Sequence, residues 1–363
     1  MIKIIFIIDS LKSGGAERVM CVLANEFTAI GYYISIISKV KEGPFYKLDD
    51  KVRLIYPAKK IRYKNGIVKL YSRLRVYREI FKTLKNEMPD LIISFSTTTN
   101  GTSIIICKLL RLPIIACEHN NYKTNIKSLL IWFIKRCIYP FANILTVLTE
   151  RDRNEYYGKY MRNVVVMPNP LPIEPAEKVS FTNRDRVILA VGNVSRWEQK
   201  GFDNLLKMFY LIVKKYPDWK LEIAGGGDPT YLLTMVEKLC LKNHVILLGE
   251  IRDIQILMQK SSIFVLPSRW EGLPMVLIEA MSQGMACVAF NCFTGPGDII
   301  GNWEDGVLVK DQNNEDFVKK LSVIIDDKEL RVKLGKNAIE TSKRYGLDKI
   351  VPRWKDLIEH SIN

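Results

Sequence analysis

Apolar residues along the chain fall into short unbroken runs, separated by longer stretches in which they recur about every 3.6 residues. Ile2–Ile8 is an apolar run that ends in Asp9-Ser10 and reads as a buried strand. Val19, Val22, Leu23, Phe27 and Ile30 then fall at helical spacing across Ala16–Ile30. Ile34–Ser38, Val52–Tyr56, Leu91–Phe95, Ile114–Cys117, Asn143–Thr149 and Val164–Met167 read as further strands, with a helix predicted over Thr102–Leu110. Strands alternating with helices predict a parallel α/β sheet. Pro168, Pro170, Pro172 and Pro175 then interrupt the pattern, and polar residues run on to Arg186. A second alternating unit follows, with strands at Val187–Val191, Leu221–Ala224, Val245–Leu248, Ser262–Pro267, Cys287–Phe290 and Gly306–Val309. The expected division is a first Rossmann-like domain over 1–172, a linker over 173–186 and a second domain over 187–345. An amphipathic terminal helix within 346–363, carrying Trp354, Leu357 and Ile358, is expected to pack back towards the first domain.

Charge changes this picture more than bulk composition does. The 363 residues carry a net charge of +15. Through residue 175 there are 28 Lys/Arg against 14 Asp/Glu, and beyond it 26 against 25, so nearly all the excess lies in the first half. Its main block is Lys59–Lys85, where Leu70, Leu74, Tyr77, Ile80, Phe81 and Leu84 also recur at helical spacing. Such a basic amphipathic helix is either a solvated face packed by its apolar side or a surface for anionic lipid headgroups or a diphosphate, and the uneven charge split favours the second, with an anionic membrane surface met through Lys59–Lys85 as the expected partner. No nucleic-acid-binding motif or aromatic–basic stacking pattern accompanies it, so nucleic acid is not an expected partner. Lys123–Leu148 mixes Leu129–Ile134 with Lys123, Lys127, Lys135 and Arg136; it is either a second membrane-facing segment or a well-buried helix, and burial is expected for most of it. Lys135-Arg136 and Pro140 break it as a membrane span, and Met1–Asp9 is too short an apolar run for a signal peptide. Seven scattered cysteines without a CxxC pair predict free, mostly buried thiols in a reducing compartment.

The candidate chemistry sits where strands hand over to helices. In doubly wound sheets the ligand lies beyond the carboxyl ends of the strands. Glu271 is expected in the loop after the Ser262–Pro267 strand, and Glu279 inside a helix with Pro274 in its first turn. Two carboxylates beside the free N–H groups of a helix start suit sugar hydroxyls and phosphate together; surface acids on an ordinary strand–loop–helix are the alternative. Gly14-Gly15 after the first strand allows close approach of a phosphate or merely makes a turn. Arg196 and Lys200, in the loop after Val187–Val191, offer fixed cations to a leaving diphosphate. His119, at the end of Ile114–Cys117, stands in the expected crevice, where a structural histidine is the other reading.

Taken together, these residues make the chain resemble retaining glycosyltransferases of family 4. The resemblance rests on Gly14-Gly15-Ala16-Glu17-Arg18, Glu118-His119, Arg196 with Lys200-Gly201, Gly225-Gly226-Gly227 and Glu271-x7-Glu279 with Gly272-Leu273-Pro274. It implies the α/β GT-B fold, two Rossmann-like parallel-sheet domains facing a cleft. It implies that Gly15, Arg196 and Lys200 meet a donor diphosphate, that Glu271 touches the donor sugar near Gly272, Leu273 and Pro274, and that Glu279 takes the ribose hydroxyls. His119 would lie beside the transferred sugar, making His119 and Glu271 the catalytic candidates. Asn193 occupies the position where the family commonly has an arginine, and Asp298 stands where glutamate is more usual. Asp-x-Asp is absent, which fits an enzyme that needs no metal or other cofactor. The implied reaction moves a hexose or N-acetylhexosamine from a UDP-sugar to a polyprenyl-diphosphate-linked oligosaccharide in surface polysaccharide or glycan assembly. It would take place at the cytoplasmic face of the membrane. A nucleotide-sugar epimerase or phosphorylase of the same fold, or a basic lipid- or nucleic-acid-binding protein, are the competing expectations.

Overall fold

The structure is a computed structural model that describes residues 1–362 apart from 13, 58–65, 123–127, 177–180 and 182, with only the backbone of 66–73. Among the described residues, thirteen strands are laid out in two sheets. The first holds β1 (Lys3–Ile8), β2 (Tyr33–Ser38), β3 (Arg53–Ile55), β4 (Leu91–Phe95), β5 (Ile114–Glu118), β6 (Ile144–Val147) and β7 (Val164–Val166), in the order β3-β2-β1-β4-β5-β6-β7. The second holds β8 (Asp185–Val191), β9 (Lys220–Ala224), β10 (Val245–Gly249), β11 (Ser261–Leu266), β12 (Ala286–Asn291) and β13 (Val307–Lys310), in the order β10-β9-β8-β11-β12-β13. All described ladders between these strands are parallel.

Unbroken Ile/Val/Leu runs suit such sheets, because both faces are covered by helices. Strand β1 shows the consequence of its period of two. Ile4, Phe6 and Ile8 enter one core with Val19, Leu23 and Phe27 of the helix Gly15–Ala29. Ile5 and Ile7 enter the opposite core with Ile80, Leu84 and Ile104. Residues 1–172 form one compact unit together with 347–363, and residues 173–346 form the other. The last helix, Leu347–Ile362, places Ile350, Trp354 and Ile358 in the Phe27 core of the first unit, with Trp354 edge-on to Phe27 at 6.4 Å. Their spacing of four residues keeps all three on one stripe.

Four sequence expectations are corrected by packing. The helix predicted from Thr102 starts at Thr97, because Thr97 and Asn100 bond Glu118 and the Cys117 carbonyl, which overrides the turn-like Ser-Thr-Asn-Gly composition. Two described residues of the expected linker are bonded to the second unit: Ala176 N donates to Ser282 O, and Arg184 donates to the carbonyls of Met258, Ser261 and Gln283. Pro274 is the residue before the helix Met275–Ser282; its extended ψ of 94° keeps it outside while its carbonyl accepts from Leu277 N and Ile278 N.

The fourth correction concerns the segment expected to be buried. The helix Leu129–Phe133 buries none of its residues: Leu129 is 85% and Leu130 61% exposed, with Trp132, Phe133 and nearby Phe141 also exposed. Burial begins only at Ile134, Lys135 and Tyr139. Lys123 and Lys127 lie outside the described residues, as do Lys59, Lys60, Arg62 and Lys64 of the basic block, whose helix runs Gly66–Glu87.

Candidate active site

Each sheet reverses its winding once, between β1 and β4 in the first and between β8 and β11 in the second. At such a point adjacent loops diverge and leave a crevice at the carboxyl ends of the strands.

In the second unit the loops after β8 and β11 carry six of the residues expected at the donor, Arg196, Lys200 and Glu271–Pro274. Lys200 closes the short helix Trp197–Lys200, and its Nζ donates to Glu271 Oε1 at 2.8 Å. The Ser268 hydroxyl donates to the same oxygen at 2.6 Å. Glu271 is 8% exposed, so this is a nearly buried ion pair rather than two solvated charges. The loops meet this closely because Gly201 has φ +68° and a side chain there would collide with the Pro267 carbonyl at 1.9 Å. Arg269 fastens the same junction from outside, with a two-pronged bond to Asp203 at 2.8 Å on each arm and its own N–H on Gln199 O. Gln199 Nε2 returns a bond to Trp270 O at 3.2 Å.

Glu279 lies in the following helix and is 1% exposed. Leu273 and Pro274 are buried, and Gly272 is half-buried. The Thr294 hydroxyl donates to Glu271 O at 2.7 Å, which brings the Thr294–Asp298 loop against them. Asp298 accepts from Gly295 N at 2.9 Å and so closes its own turn. The glycines after β9 admit the β8 loop: Gly225 and Gly227, at φ +152° and +119°, leave no room for a Cβ beside Gly192 O and Asn193 Oδ1. Asn193 accepts from Ser195 N at 2.9 Å and is engaged in its own loop. Arg196 is exposed, with no salt bridge among the described residues. Trp197 stacks on Tyr231 with ring centres 3.9 Å apart, which stiffens this loop.

In the first unit Gly15 opens the helix Gly15–Ala29, and open space lies where its Cβ would be. His119 follows β5 with its ring 4.9 Å from Phe95, and its Nδ1 is shut off from solvent without a described partner. Burial lowers its pKa to about 4 against an opposing pull from Glu118, so the imidazole is neutral at physiological pH. Glu118 is buried and accepts from Thr97 Oγ1 and Tyr139 OH, both at 2.7 Å, and from Asn120 N at 3.1 Å. These bonds pin the loop that carries His119.

Residue chemistry alone did not single out a further cluster at the β1/β4 reversal. Asp9 pairs with Lys39 at 3.0 Å and accepts from Ser96 Oγ at 2.8 Å, while Lys39 also donates to Thr99 Oγ1 at 3.0 Å. Burial opposes ionisation of Asp9, but Lys39 and these hydrogen bonds outweigh it and hold the carboxyl below its usual pKa. Ser96 adopts φ +75° with ψ 143°, a costly backbone for a residue with a side chain. Asp9 at a strand end was a visible signal; the Ser96 strain was not.

Solved structures share this architecture. The chain superposes on TarM with a TM-score of 0.82 at 15% identity, covering 99% of each chain. It superposes equally well, at 16% identity, on Anabaena Alr3699/HepE crystallised with UDP and glucose, covering 99% of this chain and 100% of that one. The fold is GT-B, the two-sheet architecture of a large class of glycosyltransferases. Residues 13–174 match the family described as Glycosyltransferase Family 4 and residues 174–341 match Glycosyl transferases group 1, and with a full-length relative at 31% identity the chain belongs to this glycosyltransferase family. That relative is the Campylobacter jejuni GalNAc-alpha-(1->4)-GalNAc-alpha-(1->3)-diNAcBac-PP-undecaprenol alpha-1,4-N-acetyl-D-galactosaminyltransferase, covered over 99% of this chain and 98% of its own. The amylovoran biosynthesis glycosyltransferase AmsD of Erwinia amylovora is 30% identical over 99% of this chain and 100% of its own.

Proposed function

We propose that this glycosyltransferase moves a hexose or N-acetylhexosamine from a UDP-sugar to a polyprenyl-diphosphate-linked oligosaccharide. The observation that carries the donor half is the Lys200–Glu271 pair at the sheet reversal, with Glu279 buried in the next helix. The acceptor half rests on the relatives, of which the Campylobacter enzyme is named for an undecaprenol-diphosphate glycan. Arg196 and Lys200 neutralise the departing diphosphate, Glu271 and the Gly272–Pro274 backbone hold the donor sugar, and Glu279 takes the ribose hydroxyls. Gly15 N–H meets the diphosphate. His119, neutral, sits beside the transferred sugar as a hydrogen-bonding group. Transfer proceeds with retention and without a metal ion: the acceptor hydroxyl attacks on the face the diphosphate leaves, and a diphosphate oxygen takes its proton. The epimerase, phosphorylase and non-enzymatic readings lack such support from these relatives.

The enzyme works peripherally at the inner membrane face. Among the described residues no helix is long and apolar enough to cross a membrane. The exposed Leu129, Leu130, Trp132 and Phe133, with Arg136 close by, give the first unit an apolar face with basic charge beside it, as interfacial docking requires.

The test is UDP release from a panel of UDP-sugars with an undecaprenyl-diphosphate oligosaccharide in anionic vesicles. One sugar is expected to support turnover, and Glu271→Ala to abolish it. Leu129→Glu/Trp132→Glu is expected to slow reaction on vesicles and to spare reaction on a short-chain soluble acceptor. No turnover with any sugar, or full activity in Glu271→Ala, refutes the proposal.

A further inference from the structure

A second charged site lies in the second unit at the other end of its strands. A cavity of about 250 Å³ is lined by Arg184, Arg186, Lys328 and Arg331 together with Ser262 and Gly284. The residues come from the start of β8 and the residue before it, the start of β11, the turn after Met275–Ser282 and the helix Lys328–Ser342. Three guanidinium groups and an ammonium line it, although charges in this half of the chain balance overall at 26 against 25.

Carboxylates answer only part of that charge. Arg186 pairs with Asp218, and Asp327 attracts Arg331. Arg184 donates to three backbone carbonyls, those of Met258, Ser261 and Gln283, and Arg331 to two, those of Ile324 and Ile325. Among the described residues neither of these two has a salt-bridging carboxylate. The Arg184 Nε–H is buried and also lacks a described acceptor. Burial lowers the Arg184 pKa to about 10 and Arg186 opposes the charge of Arg331, so the group is held together against repulsion. Like charges around one cavity are relieved by a bound anion.

We infer that this cavity is a binding site for a small soluble oxyanion of the inorganic phosphate or diphosphate class, separate from the donor loops. Its volume is below the roughly 300–1,000 Å³ of sites for drug-sized ligands, which favours a small anion over a whole nucleotide-sugar. The site touches the far end of the donor helix, since Arg184 holds the carbonyl of Gln283, the residue that ends Met275–Ser282.

Anion binding here does not depend on which donor the enzyme uses. Inorganic diphosphate is titrated calorimetrically into the full chain at constant ionic strength, with and without saturating UDP. A saturable isotherm is expected that persists with UDP and weakens by about tenfold or more in Arg186→Gln and in Lys328→Gln, each removing one charged donor. Two exposed positions are used so that misfolding of one variant leaves the other readable. Absence of saturable binding, loss of binding under UDP, or unchanged affinity in both variants overturns it. So does binding of phosphatidate vesicles through these residues without any binding of free diphosphate.

Discussion

Breaking the Lys200–Glu271 pair separates its structural from its chemical role. Lys200→Met keeps the aliphatic stem that packs on Gly192 and removes the charge. It leaves Glu271 with the Ser268 hydroxyl as its remaining described side-chain donor. The side chains of Lys200 and Glu271 are only 14% and 9% exposed, so the stranded carboxylate regains little water. Removing one partner of a buried pair costs about 3–5 kcal/mol, and residual exposure puts Lys200→Met near about 3. Glu271→Gln strands the ammonium instead, while its amide oxygen still accepts a bond, and costs about 2 kcal/mol. The double variant removes both charges, so the two losses overlap and about 2 kcal/mol of coupling is expected. Hydrogen exchange of the β8 and β11 amides reads this locally, which a chain of two units requires. Both single variants and the double variant are expected to lose UDP release, because restored stability does not restore the cation or the carboxylate. Additivity within about 0.5 kcal/mol would mean that the pair is not coupled in solution. Recovery of turnover in the double variant would mean that the pair is structural only.

Gly201→Ala combines a left-handed backbone with a Cβ placed 1.9 Å from the Pro267 carbonyl, so a loss of at least about 2 kcal/mol is expected, read as a fall in melting temperature. An unchanged melting temperature would refute the close contact. His119 titrates near 4 folded and near 6.5 unfolded, so its contribution is fully present above pH 6.5 and is lost as pH falls from there through about 4. The difference amounts to up to about 3 kcal/mol. His119→Phe removes it: wild type should lose more stability than the variant between pH 6.5 and 4, and parallel curves would contradict the burial of Nδ1.

Much of the fold could be read from the unbroken runs, since strands covered on both faces admit few polar positions. Ile2–Ile8 and Ser262–Pro267 fall within a residue or two of β1 and β11. The Glu271–Glu279 segment was legible because strand, loop and helix follow one another locally. What escaped depends on partners distant in sequence. Lys200 and Glu271 were both expected at the ligand, yet nothing in their local context says that they bind each other across 71 positions. The helix start at Thr97 hangs on Glu118, 21 residues away. Leu129–Phe133 misled for another reason: apolar residues in a short run look alike whether a core or a surface lies beside them.

The return of Leu347–Ile362 to the first unit bears on the order of synthesis. A ribosome makes this helix only after all of the second unit. The core around Phe27 therefore stays open, short of Ile350, Trp354 and Ile358, while residues 173–346 are translated and free to fold. Stalling or proteolysis just after residue 346 would thus harm the first sheet and spare the second, so Leu347–Ile362 acts as a latch that closes the first unit only after the second has been made.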